Sequence, residues 1–366
     1  MKIVVCPDSF KGTVSSARAA SIIRSAALSV FPEAEVVTVP LADGGEGTCD
    51  ALGAEKVPAR VTGPDGIEVD SFFGVIGDIA VIELAAVAGL TLTSLHDPSL
   101  TTSRGAGELF ISAADAGYKR FVLALGGSAV NDCGCGMASA CGVVFYDSDG
   151  RQFVPVGGTL SKVSRIDASA IDPRIADAEI TVMCDVDNPL YGERGAAFVF
   201  APQKGADAET VARLDDGLRS IAEVIERDVG VTVSDIPGGG AAGGCGAGAV
   251  AFFGAEMRRG IDAVLDALDF DSILDGADLA VTGEGRFDRQ SADGKVVSGV
   301  ASRASSRRIP VAVVCGTAEK GADVLIPGIS GVFPTVHGPV PDIITPADAE
   351  AALYKTSCEM IKLTLL

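Results

Sequence analysis

Five short stretches of this chain bring glycines, carboxylates, amides or a lysine together. They are Asp8-Ser9-Phe10-Lys11, Asp43-Gly44-Gly45-Glu46-Gly47, Gly126-Gly127-Ser128 with Asn131-Asp132, Asp185-Val186-Asp187-Asn188, and Gly283-Glu284-Gly285 followed by Arg286. Apolar runs of strand character precede them, KIVVC before the first and DLAVT before the last. Glycine lets backbone N–H groups close on an anion, and carboxylates hold a cation. Phosphoryl transfer asks for such parts. It needs a backbone cradle, a Mg2+ on carboxylates, a cationic side chain at the transferring oxygens and a carboxylate near the attacking hydroxyl. One such stretch alone reads more simply as a capped turn. Its recurrence along the chain favours a shared site.

Other chemistries find less support. Lys295 follows Gly294, but position 289 is Arg, so the P-loop pattern fails. No G-x-G-x-x-G opens a helix after the first strand, and residues 243–248 hold only loose versions of it. Protein-kinase signatures and G-x-S-x-G are absent. The two histidines, His96 and His337, are too few for a histidine metal site or triad. The nine cysteines are odd in number and irregularly spaced, which reads as free buried thiols in a reducing compartment. Cys133, Cys135 and Cys141 lack a second pair at zinc spacing.

The formal charge of −20, with no basic cluster beyond Arg307-Arg308, argues against a general nucleic-acid or anionic-membrane binder. It also sets a problem: an anionic substrate needs local lysine or arginine to overcome the global field. The uncharged run 236–255 has eight glycines in 20 residues and reads as a loop leading into a helix, not a membrane span. The chain opens directly into a strand without a signal peptide, so a cytoplasmic location is expected.

The elements that must position these groups follow from periodicity. Residues 2–6 read as a buried strand stopped by Pro7, then a helix over 15–30 capped by Ser15 or Thr13, then a strand over 35–39. Strand–loop–helix returns at 278–282 with a helix near 297–305, a strand at 311–315, a strand near 330–334 and a final helix over 346–363. Between these ends the style changes. Runs at 57–62, 67–73 and 79–84, joined by Gly-Pro-Asp-Gly and Gly-Asp turns, predict an antiparallel meander. Further strands are expected at 121–125, 180–184 and 196–200, and helices at 103–117 and 208–229. The expected fold is α/β with two domains. A parallel, doubly wound, flavodoxin- or Rossmann-like sheet domain uses both termini, residues 1–62 plus 272–366. An inserted mixed α/β domain spans 63–271, with the active site in the cleft between them.

The same loops carry a resemblance. The runs PDSFKG (7–12), ADGGEGT (42–48), GGSAVND (126–132), CDVDNPL (184–190), PQKGA (202–206), AAGG (241–244) and TGEGRFDRQ (282–290) resemble the signatures of bacterial type-1 glycerate kinases along nearly the whole length. Val130 stands where that family tends to have Thr, and Cys133 and Cys135 where it has Gly and Ala. The resemblance implies an enzyme that uses ATP and Mg2+ to phosphorylate D-glycerate, with 2-phosphoglycerate as the usual product. D-glycerate and ATP are then the partners, with no nucleic acid and no membrane, and a homodimer is allowed. A kinase giving 3-phosphoglycerate, a kinase of another small hydroxy acid, and a sugar-acid-binding regulator without turnover are the alternatives.

Strand-end placement suggests roles. Lys11, Asp43 and Asp185 are the catalytic candidates, Lys11 at the substrate carboxylate or the transferring phosphoryl group. Gly126, Gly127, Ser128, Gly283 and Gly285 are expected to cradle phosphates. Ser9, Lys11, Asn131, Asp132 and Arg286 are the substrate-binding candidates, and Asp187 and Glu284 the metal ligands.

Overall fold

The computed structural model describes residues 1–10, 13–41, 47–292, 295–321, 326–336 and 345–363. In chain order the strands are β1 (Lys2–Val5), β2 (Glu35–Thr38), β3 (Glu55–Thr62), β4 (Glu68–Ile76), β5 (Ile79–Glu83), β6 (Arg120–Ala124), β7 (Val144–Tyr146), β8 (Gln152–Phe153), β9 (Arg165–Asp167), β10 (Glu179–Met183), β11 (Glu256–Arg258), β12 (Leu279–Phe287), β13 (Val311–Ala318) and β14 (Ile329–Pro334). The chain divides into two compact units. One comprises Met1–Asp43, Asp50–Gly53 and Arg259–Leu366, the other Gly44–Cys49 and Ala54–Arg258. These bounds differ from 62/63 and 271/272 for a physical reason. β3 pairs with β4 along its whole length, and the helix Gly260–Ala267 lies against Val296–Ser306, where Ile261 Cγ1 would be 2.5 Å from a Cβ on Gly299.

The first unit is a parallel sheet in the order β14-β13-β12-β1-β2. Alternation along β13 shows that it is covered on both faces. Ala312 and Val314 join Ile3, Val5, Leu279 and Val281 in a core with residues of the helices Ser16–Val30 and Pro346–Leu363. Val313 and Cys315 join Phe287 and the helix residues Val297 and Ala301 on the other face. Ser15 caps the first helix, accepting from Arg18 N at 3.3 Å. From β1 the chain moves outward to β2, and after its return from β12 outward to β13 and β14. The order therefore reverses between β1 and β12, the place where open α/β sheets bind ligands at their carboxyl ends.

One expectation is corrected here. Gly283-Glu284-Gly285 is not a loop after a strand ending at Thr282; β12 runs through it, pairing Gly283 with Val314 and Glu284 with Cys315. The glycines serve the pairing: a Cβ on Gly283 would lie 2.0 Å from Val314 O, and one on Gly316 would lie 2.4 Å from Gly285 O. Gly283 is buried inside the sheet, so the phosphate-cradling role expected of it is not what its backbone does here.

The second unit has a mixed sheet in the order β11-β10-β6-β5-β4-β3. The β5, β6, β10 and β11 ladders are parallel, and β3-β4-β5 is the expected antiparallel meander. A small antiparallel sheet β8-β7-β9 adds to it. The amphipathic helix Ala208–Val229 starts at Asp207, which accepts from Thr210 N, and ends at Gly230 in the left-handed region. Residues 196–200 form a helix, not the expected strand. Ala196, Ala197 and Ala201 bury one helical side in the core while Phe198 and Val199 are exposed. Among the described residues no helix is long and apolar enough to cross a membrane.

Close helix contact in this unit rests on a small residue. A Cβ on Gly107, in the helix Arg104–Asp115, would lie 2.1 Å from Met137 O in the helix Cys135–Ala140. Gly107→Ala is expected to destabilise the protein by about 2 kcal/mol through overpacking against backbone. A urea titration followed by circular dichroism checks this; an unchanged midpoint contradicts it.

Candidate active site

In the first unit the carboxyl ends of β1 and β12 are zipped together. Cys6 N donates to Val281 O at 2.7 Å, Asp8 N to Gly283 O at 2.8 Å, and Thr282 Oγ1 to Cys6 O at 2.9 Å. This holds Asp8, buried, beside Glu284, also buried. Asp8 Oδ1 accepts from Ser9 N at 2.6 Å. Burial pushes the Glu284 carboxyl up to about 7. The Ser291 hydroxyl and Lys295 pull it down, while Asp8 and Asp288 push it up. Its Oε1 is buried without a hydrogen-bond partner among the described residues. An ionisable group held like this, at the switch point of a parallel sheet, is suited to meet a cation or a proton. Among the described residues no three His, Cys, Asp or Glu side chains gather into a metal site.

In the second unit, Glu83, Ala124 and Met183 stand level at the carboxyl ends of the neighbouring strands β5, β6 and β10. Glu83 is buried, and its carboxylate accepts from Gly47 N at 3.2 Å and from Cys49 N. It thereby anchors the end of the glycine-rich run that begins at Ala42. The loop after β6 is clamped on several sides. Leu90 N donates to Gly127 O at 3.0 Å, Ala129 N to Ala88 O at 2.8 Å, and Thr101 Oγ1 to Ala129 O at 2.9 Å. Lys204, at the end of the short 3-10 turn Pro202–Lys204, is buried and donates to Val130 O at 2.6 Å and Ser128 Oγ at 3.4 Å. Desolvation pulls its ammonium down to about 8, against the opposing pull of Cys245 and Asp132.

The profile of the glycerate kinase family matches residues 3–365. The chain belongs to the glycerate kinase family. It is 44% identical over 350 residues to the glycerate kinase of Bacillus subtilis (strain 168), covering 93% of this chain and 92% of that one. It is 44% identical over 343 residues to the glycerate 2-kinase of Escherichia coli (strain K12), covering 91% and 90%. A crystal structure from Salmonella typhimurium LT2, provisionally assigned as glycerate kinase 2, superposes with a TM-score of 0.90 at 41% identity, covering 99% of this chain and 98% of that one. The protein is thus a kinase, an enzyme that phosphorylates an alcohol group.

Within this glycerate kinase framework the expected site residues are distributed as follows. Lys11 and Asp43 lie outside the described residues. Asp185 and Asp187 are exposed just beyond β10. That strand ends at Met183, so strand alternation does not place the two on one face. Gly126 and Gly127 reach the surface, while Ser128 and Asn131 are buried. Arg286 is exposed and pairs with Asp288 at 3.2 Å. Asp132 is a correction. It is fully buried, and its carboxylate accepts from Ser103 N at 2.7 Å, Ser103 Oγ at 2.8 Å, Gly134 N at 3.1 Å and Gly136 N at 3.3 Å. Its oxygens tie two helix starts together, a structural use in place of the expected contact with substrate. Cys133 has φ 53, a conformation that favours glycine.

Sequence reasoning missed Glu83 and Lys204. The only signal for Glu83 was a carboxylate ending the apolar run IAVIE, and for Lys204 the single lysine of PQKGA.

Glu284 makes stability depend on pH. Its folded pKa lies above the ordinary 4.5. Its contribution is therefore fully present below that value and is lost as pH rises through about 7, because the folded protein keeps a proton that the unfolded chain has released. Glu284→Gln should match wild type near pH ~4 and exceed it by roughly 2–3 kcal/mol near pH ~8. Urea unfolding at both pH values checks this; a difference that does not change with pH contradicts it.

Proposed function

We propose that the enzyme transfers the terminal phosphoryl group of ATP to the 2-hydroxyl of D-glycerate. The observation that carries this reading is 44% identity over 343 residues to a protein named glycerate 2-kinase. The strand-end clusters of both units add chemical support, because they supply acids, a buried cation and exposed glycines of the types phosphoryl transfer uses. In this reading Asp43 or Asp185 acts near the attacking hydroxyl. Lys11 neutralises the substrate carboxylate or the transferring phosphoryl group, Ser9 and Arg286 orient the acid, and Gly126 and Gly127 face phosphate oxygens. The proposed catalytic set thus draws residues from both units.

Mg2+ fits the donor set. Glu284 has a buried carboxylate oxygen without a partner, the hard oxygen donor that this cation prefers. Glu284 and Asp187 are its proposed ligands, and a nucleotide-borne Mg2+ needs only one or two protein carboxylates. When bound with ATP it would neutralise charge developing on the phosphate oxygens. A cytoplasmic location accords with the buried free thiols.

An ADP-release assay tests the reading. ADP should form with D-glycerate and Mg-ATP, faster than with any other small hydroxy acid in a panel. ADP that does not depend on an acid substrate, or a clear preference for another acid, overturns it. Lys11→Ala and Asp185→Asn are each expected to lower kcat/KM by ~100-fold or more, the scale of one preorganised charge or one acid–base group. Near wild-type kinetics in either variant removes that residue from the catalytic set.

A further inference from the structure

We propose that Lys204, with Ser128 and the side-chain amide of Asn131, forms the subsite that receives the carboxylate of the acid substrate; this rests on the reading of the enzyme as a kinase of a small hydroxy acid. The net charge of −20 repels an anionic substrate, so a local cation must draw it in. Among the described residues Lys204 is the only lysine or arginine that is buried. Its Nζ has two neutral neighbours, Val130 O and Ser128 Oγ, and an ammonium has three donors. The charged or titratable groups nearby are Asp132 and Cys245. Asp132 attracts the ammonium electrostatically while its carboxylate accepts from Ser103, Gly134 and Gly136, and burial pushes the Cys245 thiol well above its usual range, so it carries no charge.

One residue beyond Val130, Asn131 is 0% exposed, and both its Oδ1 and Nδ2 lack a partner among the described residues. A buried ammonium with only neutral acceptors at its hydrogen-bonding distance and a buried amide without partners among the described residues are each unfavourable. Here they belong to one six-residue loop and its clamp. A small carboxylate would meet both needs, pairing with the ammonium and accepting from the amide N–H. The loop's other end, at Gly126 and Gly127, reaches the surface.

The loop is held rigidly for this work. Behind it Ala242, Gly243 and Gly244 adopt φ of 53, 66 and 91, a left-handed run in which Ala242 is strained. A Cβ on Gly243 would lie 2.1 Å from Val130 O and 2.4 Å from Asn131 Cα, and Gly243 O accepts from Cys133 N at 3.0 Å. The strained run therefore backs directly onto Val130, whose carbonyl Lys204 holds, and onto Asn131, whose side-chain amide has no partner among the described residues.

Lys204→Met removes the charge at similar length and takes the donor from Val130 O and Ser128 Oγ, so its folding is checked by circular dichroism before binding is read. The expected result is a KM for D-glycerate raised at least ~10-fold with the KM for ATP within about twofold, and a smaller effect on weak turnover of glycerol, which lacks the carboxylate. Lys204→Arg should recover part of the loss. Calorimetric binding of D-glycerate without ATP should weaken in parallel, a readout independent of turnover. Asn131→Asp, isosteric but negative, should weaken acid binding similarly and serves if Lys204→Met does not fold. Unchanged D-glycerate binding in a folded variant, or equal losses for acid and ATP, overturns the subsite. Wild-type enzyme that binds D-glycerate without phosphorylating it overturns the kinase reading and leaves the subsite standing.

Discussion

Charge held out of water is the constraint to which the surrounding structure answers. Glu284 in one unit and Lys204 in the other are ionisable groups that folding strips of solvent and supplies with few partners. Burial of this kind opposes folding, so the rest of the fold must over-determine their positions. It does so with backbone. The ladder from β1 to β12 and the close approach of Gly283 to Val314 fix Glu284. The clamps at Leu90, Ala129 and Thr101, with the left-handed run behind, fix the loop over Lys204.

Other buried carboxylates are spent differently. Glu83 and Asp132 are as thoroughly buried as Glu284, yet backbone N–H groups satisfy them. They are scaffolding: one ties down the segment Gly47–Cys49, the other joins the helix starts at Ser103 and Cys135. The contrast separates structure from chemistry better than residue type does. A carboxylate surrounded by donors is finished, whereas one whose buried oxygen has no partner among the described residues is open to a further one.

Much of the fold was legible in the sequence because periodicity and turn chemistry are local. The helix at Ser15, the meander through β3, β4 and β5, the amphipathic helix Ala208–Val229 and the return to a parallel sheet after Leu279 all followed from spacing and caps. The failures were tertiary. Gly283-Glu284-Gly285 looked like a loop because glycine usually marks one, but the glycines are there so that β12 can pass close to β13. AAFVF looked like a strand by composition, yet the core claims Ala196, Ala197 and Ala201 on a helix. At the site, the strand-end loops could be read but not the state of their side chains. Asp132 and Asn131 are adjacent in sequence, and only the fold makes one satisfied and the other not. Lys204 is an ordinary surface lysine until the structure buries it.

The most direct measurement of the central claim is phosphorus NMR of the product formed from D-glycerate and Mg-ATP, recorded with proton coupling. Transfer to the 2-hydroxyl places the new phosphate ester beside a carbon that bears a single hydrogen, so the account predicts a doublet. A triplet, from an ester on the terminal CH2, or the absence of any new ester signal would contradict it.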